Sequence, residues 1–434
     1  MTDAPVDSAK NAAPPNRLGR MARREMRFAY GMLAPTFLIV LAVVLLPLIA
    51  NFWISFKPVQ LSDLRAPTLS VNERLRGTLE QAGDTAEIEY RLRNTSQKAI
   101  IAEAGFSDTL PKGLTVSDLD PRCALAGQEL TCRLGDIPAK FRETIKLPVT
   151  ADEAYIADPV NPRDSEAQNF GRADNVLTNM TFTLDNYRKV FSSSDFWHVL
   201  RVTFYYTVFG TLSALVLGLF AAQLLNQNFR GRSVLRGLFL FPYVAPVIAV
   251  AFTWIILLDP YSGTLNALLV QAGMIGTPID FFGQRSVDIS LFGFTFGFPV
   301  ALTTVIAFEA WRYFPLAFLF ILARMQALSS DVYEAAEIDG ATPLQQFWYI
   351  SLPQLVGILA VLFLLRFIWT FNKFDDIFLL TGGGAGTRTL TVDVYEQAFA
   401  ISNLGAGAAV AVVVFAVLLA FSLLFFTFSP QDDG

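Results

Sequence analysis

Long apolar stretches recur along the chain, with polar segments between them. Six stretches are long enough to cross the hydrocarbon core of a membrane, which takes roughly 20 apolar residues as a helix. They lie at residues 30–56, 202–225, 237–258, 299–323, 354–373 and 404–428. The first is longer than the apolar core of a cleaved leader, so we expect it to be retained. The pattern therefore predicts an all-α transmembrane bundle of six helices.

The third stretch contains Pro242 and Pro246. Membrane helices tolerate proline when the carbonyl groups that it frees find other partners. We therefore expect residues 237–258 to form one spanning helix.

Basic residues set the expected orientation, because lysine and arginine concentrate in short cytoplasmic loops. Arginines precede the first apolar stretch and follow the second: Arg17, Arg20, Arg23, Arg24, Arg27, Arg230, Arg232 and Arg236. Both groups are predicted to be cytoplasmic, and so are both termini. The predicted domains are a cytoplasmic basic arm at 1–29, helix 1 at 30–56, an extracytoplasmic, periplasmic insert at 57–195, and a core of five helices at 196–429 with a cytoplasmic loop at 324–353.

The insert carries a period-two pattern typical of a half-buried strand. Apolar and charged residues alternate strictly over residues 85–94. Shorter strands are predicted at 99–102, 130–134 and 144–149. We infer a small β-sandwich at about 66–152. Turn and strand residues at 83–85, 94–95, 108–114 and 132–135 resemble the Ig-like repeat domains of bacterial surface proteins.

Cys123 and Cys132 are the two cysteines of the chain, and both lie in the insert. On the oxidising side of a membrane, a pair nine residues apart predicts either a disulfide that closes a short loop or two buried thiols. Two cysteines and one distant histidine do not suggest a metal site.

Composition supports a membrane protein, since 53% of the residues are hydrophobic and 16% are charged, against about 45–50% and 25% in soluble domains. No nucleic-acid-binding pattern is visible. The glycine run 382–384 lacks the lysine of a phosphate-binding loop. No acidic pair, histidine cluster or activated nucleophile suggests catalysis. We expect no enzyme activity and no cofactor in this chain.

The loop between the fourth and fifth stretches reads as two short helices. Asp331 and Glu334 resemble a capping-box start, and Gly340 is expected to end the first helix. Thr342 is expected to cap the second helix, with Pro343 at its first position and Gln345 completing the capping box.

This loop resembles the hallmark of the permeases of ABC importers: Glu-Ala-Ala, three residues, Gly, nine residues, Ile, one residue, Leu-Pro. The matching residues are Glu334, Ala335, Ala336, Gly340, Ile350, Leu352 and Pro353. The resemblance implies that the loop docks on a separate ATPase subunit dimer that binds ATP and magnesium. It further implies a second permease subunit, a periplasmic sugar-binding protein, and a multi-pass location in the lipid of a bacterial inner membrane.

Residues 184–187, 371–375 and 380–384 look like the sugar-type permeases best known from the maltose system. The resemblance implies import of a sugar or glycoside, and a large loop at the same place that contacts the binding protein. The alternative suggested by the insert is a membrane-anchored adhesion or sensor protein.

Polar groups within the fourth and fifth predicted helices are candidates for the substrate path, because charge at the membrane centre is costly and usually faces the bundle interior. Helical spacing places the candidates on two faces: Glu309, Arg312 and Tyr313 on one, and Arg366, Trp369, Thr370 and Lys373 on the other. By the resemblance, all but Arg366 match positions that line the sugar site. The alternative is that Glu309 pairs with Arg312 while Arg366 and Lys373 extend to the membrane surfaces.

Overall fold

The computed structural model describes residues 20–291 and 294–428. The described residues divide into two compact units, with the boundary between Trp53 and Ile54. Before this boundary, α1 (Arg20–Val40) continues through a π-helical turn (Leu41–Leu45) into α2 (Leu46–Ser55), which ends two residues beyond it. The run Arg24–Ser55 is long and apolar enough to cross a membrane. Arg17 of the predicted basic arm lies outside the described residues.

The insert contains two antiparallel sheets of four strands each. One has the order β1-β2-β7-β4 and the other β5-β6-β3-β8. The strands are β1 (Leu69–Arg76), β2 (Thr85–Asn94), β3 (Ile101–Thr109), β4 (Leu114–Val116), β5 (Cys123–Ala126), β6 (Glu129–Ile137), β7 (Arg142–Ala151) and β8 (Gln168–Arg172). The alternation predicted β2 with its bounds. The strand expected at 99–102 begins only at Ile101, because the Asn94 side chain donates to the Ala99 carbonyl and holds the preceding residues in a turn.

The two sheets share one apolar core, to which Ile88 and Leu147 contribute from one sheet and Phe106 from the other. Tyr90 lies in this core without exposure and donates its hydroxyl to Asp108 at 2.6 Å. A disulfide joins Cys123 to Cys132, which are direct cross-strand neighbours in β5 and β6. The Ig-like assignment stays a prediction.

Hydrogen bonds to backbone carbonyls join the two ends of the insert to each other and to the permease core. After α3 (Glu153–Ala157), the chain reaches α4 (Asp185–Ser192), whose buried Asn186 donates to the carbonyls of Ser55 at 2.9 Å and Lys57 at 2.8 Å. Gly405 donates its N–H to Val59 at 3.0 Å. A Cβ at position 405 would collide with the Lys57 carbonyl oxygen, so this junction requires glycine.

The remaining elements form the permease core. In chain order they are α5 (Ser194–Asn226), α6 (Arg232–Phe239), α7 (Phe241–Val244), α8 (Val247–Leu257), α9 (Thr264–Gln271), β9 (Val287–Leu291), β10 (Phe294–Phe298), α10 (Val300–Gln326), α11 (Ser330–Ile338), α12 (Pro343–Gln346), α13 (Leu352–Phe371), α14 (Asp375–Thr381), α15 (Leu390–Tyr395) and α16 (Leu404–Phe428). Across the described ranges, five helices are long and apolar enough to span a membrane.

The expectation of one helix at 237–258 is wrong. The helical segments 232–244 and 247–257 meet at an angle of 93°. Pro246 has no N–H to continue the helix, and Ala245 before it has an extended ψ of 142°. The broken pair provides a sixth crossing only if both halves form one span.

Small residues let α5 and α10 pack closely. A Cβ at Gly218 would lie 2.7 Å from the Ala317 Cβ, and a Cβ at Gly210 would lie 3.0 Å from Glu309 Cγ. Because lipid supplies no hydrophobic force between membrane helices, such close backbone approach is a main source of packing energy. The contact brings Glu309 against α5.

Candidate functional site

A buried polar cluster lies where α5, α10, α13 and α14 meet. It contains two buried carboxylates, and the first is that of Glu309 in α10. Glu309 has no exposed surface. Its carboxylate forms an ion pair with Arg366 of α13 and accepts hydrogen bonds from Thr370 Oγ1 at 2.9 Å and Tyr206 Oη at 3.0 Å. Burial of a carboxylate is costly unless it is paired and hydrogen-bonded, and side chains from two helices, α13 and α5, meet that requirement here.

The second buried carboxylate of the cluster is that of Asp376 in α14. Its side chain is fully buried, with Lys373 Nζ at 3.6 Å and Arg312 Nε at 4.0 Å. Within the described ranges, neither carboxylate oxygen of Asp376 accepts a hydrogen bond. Arg312 also donates from Nη2 to the carbonyl of Ala245 at 3.3 Å, so the same guanidinium contacts the break before α8.

The Tyr313 ring lies between three cations. Its centroid is 4.2 Å from Lys373 Nζ, 4.3 Å from Arg366 Cζ and 5.5 Å from Arg312 Cζ. Lys373 also donates to the Tyr313 hydroxyl. Cation–π attraction is strongest where water is excluded, so the ring helps to hold three like charges together. Lys373 Nζ also lies 3.7 Å from Asp375, so three carboxylates lie near the three cations.

The structure brings together six of the seven predicted path residues: Glu309, Arg312, Tyr313, Arg366, Thr370 and Lys373. Trp369 is 51% exposed and does not join them. The aromatic ring that lies against the cations of the cluster is that of Tyr313.

The alternative prediction, in which Glu309 pairs with Arg312, is wrong. Glu309 pairs with Arg366, whereas Arg312 has Asp376 as its carboxylate. Arg366 is 2% exposed, so it does not extend to the membrane surface. Lys373 turns inward to Tyr313 and Asp376.

Sequence reasoning missed Tyr206, Asp376 and the Ala245 carbonyl. Asp376 had one usable signal, since the acidic pair Asp375-Asp376 follows Lys373 and Phe374 at the end of a long apolar stretch. Tyr206 had none, because a tyrosine in an apolar helix does not show which face it occupies. The Ala245 carbonyl could not be predicted as a site group, because it is free to accept a hydrogen bond only when the helix breaks at Pro246.

The predicted coupling loop forms α11 and α12. Thr342 and Gln345 make the expected reciprocal capping box, and Gly340 has the positive φ of 81° that favours glycine. The first cap differs from expectation, because Ser329 rather than Asp331 caps α11 and accepts the Asp331 N–H at 3.3 Å. Ser329 lies one residue before the helix, where its hydroxyl reaches the free amide.

The motif residues fall in two groups. Glu334, Ala335 and Gly340 are exposed, and Ala336 is half-buried. Ile350 lies in the π-helical turn Phe347–Ser351, while Leu352 and Pro353 begin α13. Among the described helices, Pro343–Phe371 is one continuous span, so α12 is joined directly to the helix that carries Arg366 and Thr370.

Comparison with known proteins agrees with this architecture. The sequence profile of the family described as binding-protein-dependent transport system inner membrane component matches residues 214–430. An inner membrane ABC transporter permease protein YcjO of Escherichia coli K12 is 36% identical over 241 residues, covering 56% of this chain and 77% of that protein. A trehalose/maltose transport system permease protein MalF of Thermococcus litoralis is 34% identical over 244 residues, with coverage of 56% and 77%.

A crystal structure of a bacterial ABC transporter involved in the import of the acidic polysaccharide alginate shares the fold. The TM-score is 0.50 at 19% identity, and the match covers 58% of this chain and 86% of the other.

The fold is that of a type I ABC importer permease with several apolar helices, and it carries β-sheets in its N-terminal part. The chain belongs to the family of binding-protein-dependent transport system inner membrane components. It is a multi-pass inner-membrane permease subunit, and such subunits are not enzymes. The adhesion or sensor alternative gains no support from these similarities.

Proposed function

We propose that this permease subunit imports a sugar or glycoside and couples to a separate ATPase through α11 and α12. The observation that carries the proposal is the continuous helical span from Pro343 to Phe371. One end of this span follows the Glu-Ala-Ala motif, and the other carries Arg366 and Thr370 of the buried cluster. Because a helix transmits displacement along its axis, a motion of α12 would move Arg366 relative to Glu309.

The loop surface supports docking of a partner. Ile338 is 87% exposed, Tyr349 is 80% exposed and Leu344 is 68% exposed. Large apolar side chains clustered at the surface mark interaction sites. The proposed occupant is an ATPase subunit, present as a dimer that binds ATP and magnesium. Glu334, Ala335, Ala336 and Gly340 would contact it, with Ile350, Leu352 and Pro353 linking the contact to α13.

The carbohydrate class is supported by the relative named as a trehalose/maltose permease and by the chemistry of the cluster. A sugar presents hydroxyl groups at its edge and apolar C–H groups on its faces. Glu309 and Asp376 can accept hydrogen bonds from hydroxyls, Arg312 and Arg366 can donate, and the Tyr313 ring can pack on an apolar face. These groups are proposed to line the path when the helices separate, together with Thr370 and Lys373. Trp369 lies outside the cluster and is not proposed for this role.

The remaining partners and the topology complete the proposal. A second permease subunit would contribute the other half of the path, and a periplasmic sugar-binding protein would deliver substrate. Residues 57–195 would lie in the periplasm, with the basic arm, the loop at 324–353 and both termini in the cytoplasm, and the helices would contact lipid.

The test is substrate-stimulated ATPase activity of the full chain, reconstituted in liposomes with the subunits that co-purify with it. A panel of neutral and anionic sugars is compared for wild type, Gly340→Asp, Glu334→Lys and the control Glu337→Lys. Glu337 is an exposed acidic residue of the same helix outside the motif, so the control makes the same charge change.

Stimulation that Gly340→Asp and Glu334→Lys abolish and Glu337→Lys retains would support the proposal. The sugar that stimulates then identifies the substrate. Purification without an ATPase, or equal activity in all variants, would refute coupling through this loop.

A further inference from the structure

The outer face of the sheet formed by β1, β2 and β7 carries a concentration of arginines. Arg93 of β2 and Arg142 of β7 are direct cross-strand partners. Both side chains are exposed, and both line an open groove of about 820 Å³ together with Arg74, Arg91 and the polar Asn72. Two like charges therefore face each other on one strand pair.

Carboxylates on this face are already paired with other cations. Glu89 forms ion pairs with Arg91 at 3.1 Å and Arg76 at 3.5 Å, and Glu87 pairs with Lys146 at 3.1 Å. In residues 20–291 and 294–428, no ion pair or side-chain hydrogen bond involves Arg74, Arg93 or Arg142. The nearby carboxylate of Glu143 pairs with Arg122 at 2.7 Å.

Like charges directly opposite on neighbouring strands destabilise a sheet. Exchange of Arg142 for a neutral residue would remove that cost, and among the described residues it would break no ion pair or side-chain hydrogen bond. A face that keeps this arrangement is suited to an anionic partner, whose carboxylates would fill the positions between the guanidinium groups.

We propose that this arginine face docks an acidic surface of the soluble binding protein that delivers substrate. This proposal rests on the proposed function, in which a soluble binding protein delivers substrate and the insert lies on the same side of the membrane as that protein. A delivering protein must associate quickly and leave in every cycle. Complementary charge raises the association rate more than the lifetime of a complex, which suits that requirement.

The size of the face also suits brief docking. Strands of eight to ten residues, at about 3.3 Å per residue and about 4.8 Å between strands, give a face of roughly 25 by 10 Å. This is well below the roughly 800 Å² that each partner contributes to a stable interface.

A protein surface fits the groove better than an acidic glycan does. The residues that line the groove include no aromatic side chain: Ser70, Asn72, Glu73, Arg74, Arg91, Leu92, Arg93, Arg142, Glu143 and Thr144. A sugar ring would have no aromatic surface on which to stack. Arginine is enriched at protein interfaces and pairs with carboxylates through two parallel hydrogen bonds.

The test measures binding to the full chain in lipid nanodiscs, with poly-L-glutamate as the acidic polypeptide and polygalacturonate as the acidic glycan. The variants are Arg93→Gln and Arg142→Gln, and the controls are Arg76→Gln and Lys146→Gln. All four make the same charge change on the same face, but the controls remove cations that already have a carboxylate.

We expect polyglutamate to bind the wild type in a salt-dependent manner, at least tenfold more weakly to Arg93→Gln and Arg142→Gln, and less than twofold more weakly to the controls. The unfolding temperature of Arg142→Gln should equal or exceed that of the wild type. Equal losses in all four variants would overturn the proposal, as would a lower unfolding temperature for Arg142→Gln. Polygalacturonate that binds more tightly than polyglutamate, and that loses affinity in the same two variants, would overturn the proposal of a protein partner in favour of an acidic glycan.

Substrate-stimulated ATPase activity of the full chain, reconstituted in nanodiscs together with the subunits that co-purify with it, separates the two proposals. Its absence counts against the importer function, whereas its presence with unchanged polyglutamate binding in Arg93→Gln counts against the docking face alone.

Discussion

Arg312 donates a hydrogen bond to the carbonyl oxygen of Ala245 at 3.3 Å. This contact joins α10 to the break between α7 and α8, where Pro246 leaves backbone groups without a helical partner. The same guanidinium lies 4.0 Å from Asp376 of α14. The Arg312 side chain therefore connects the bent segment to the buried charges. A rearrangement of the bent segment would change the contacts of the buried charges, and the reverse also holds.

Arg312→Gln should lower the free energy of unfolding by about 3 kcal/mol or more, because it leaves Asp376 with one cation in place of two and frees the Ala245 carbonyl. Thermal unfolding of the detergent-solubilised chain measures this effect. Arg324→Gln is the control, since Arg324 is exposed on the same helix. Equal stability of the two variants would show that the Arg312 contacts contribute little.

Glu309→Gln and Arg366→Met should each destabilise the chain by about 3–5 kcal/mol, because each leaves a buried charge without its counter-ion. The double variant should lose clearly less than the sum, since it removes both charges together. A double-mutant cycle from denaturant unfolding gives the coupling energy. Additive losses would mean that the two side chains do not act as a pair.

Cys123→Ser should destabilise the insert by about 2–3 kcal/mol, because the unfolded chain loses the constraint of a closed loop. Cys132→Ser should cost more. Cys132 has no exposed surface, so its replacement also buries a hydroxyl in the apolar core. Unfolding curves with and without reductant measure both effects, and reductant should shift the wild type but neither variant. An unchanged wild type in reductant would argue against a contribution of the disulfide.

Asp120 gives the insert a defined acid dependence. Hydrogen bonds from Arg122 lower the pKa of the Asp120 carboxyl to about 2. Because the folded-state pKa is below that of the unfolded chain, this contribution to stability is complete above about pH 4 and is lost as the pH falls toward 2. The difference in unfolding temperature between wild type and Asp120→Asn should therefore shrink from pH 6 to pH 2. A constant difference would contradict the assignment.

The sequence predicted those features that depend on neighbours along the chain. Strict alternation at 85–94 determined β2, because side chains on a strand take opposite faces at every step. Thr342 and Gln345 determined the cap of α12, since both partners lie within one helical turn. Apolar length determined five of the spans, because each helix satisfies its own backbone groups in lipid.

Tertiary structure decided the features in which distant segments choose among partners. Spacing placed Glu309 and Arg312 on one helix face but could not show that Glu309 pairs with Arg366, 57 residues away. That choice depends on how closely Gly210 lets α5 approach α10 and on where α13 crosses them. The direction of the bend at Pro246, the burial of Asp376 and the pairing of Arg93 with Arg142 have the same origin. The sequence determines which residues share a face of each helix or strand. The crossing of these elements determines which charges lie close together, and a buried charge is stable only when a partner lies within contact distance.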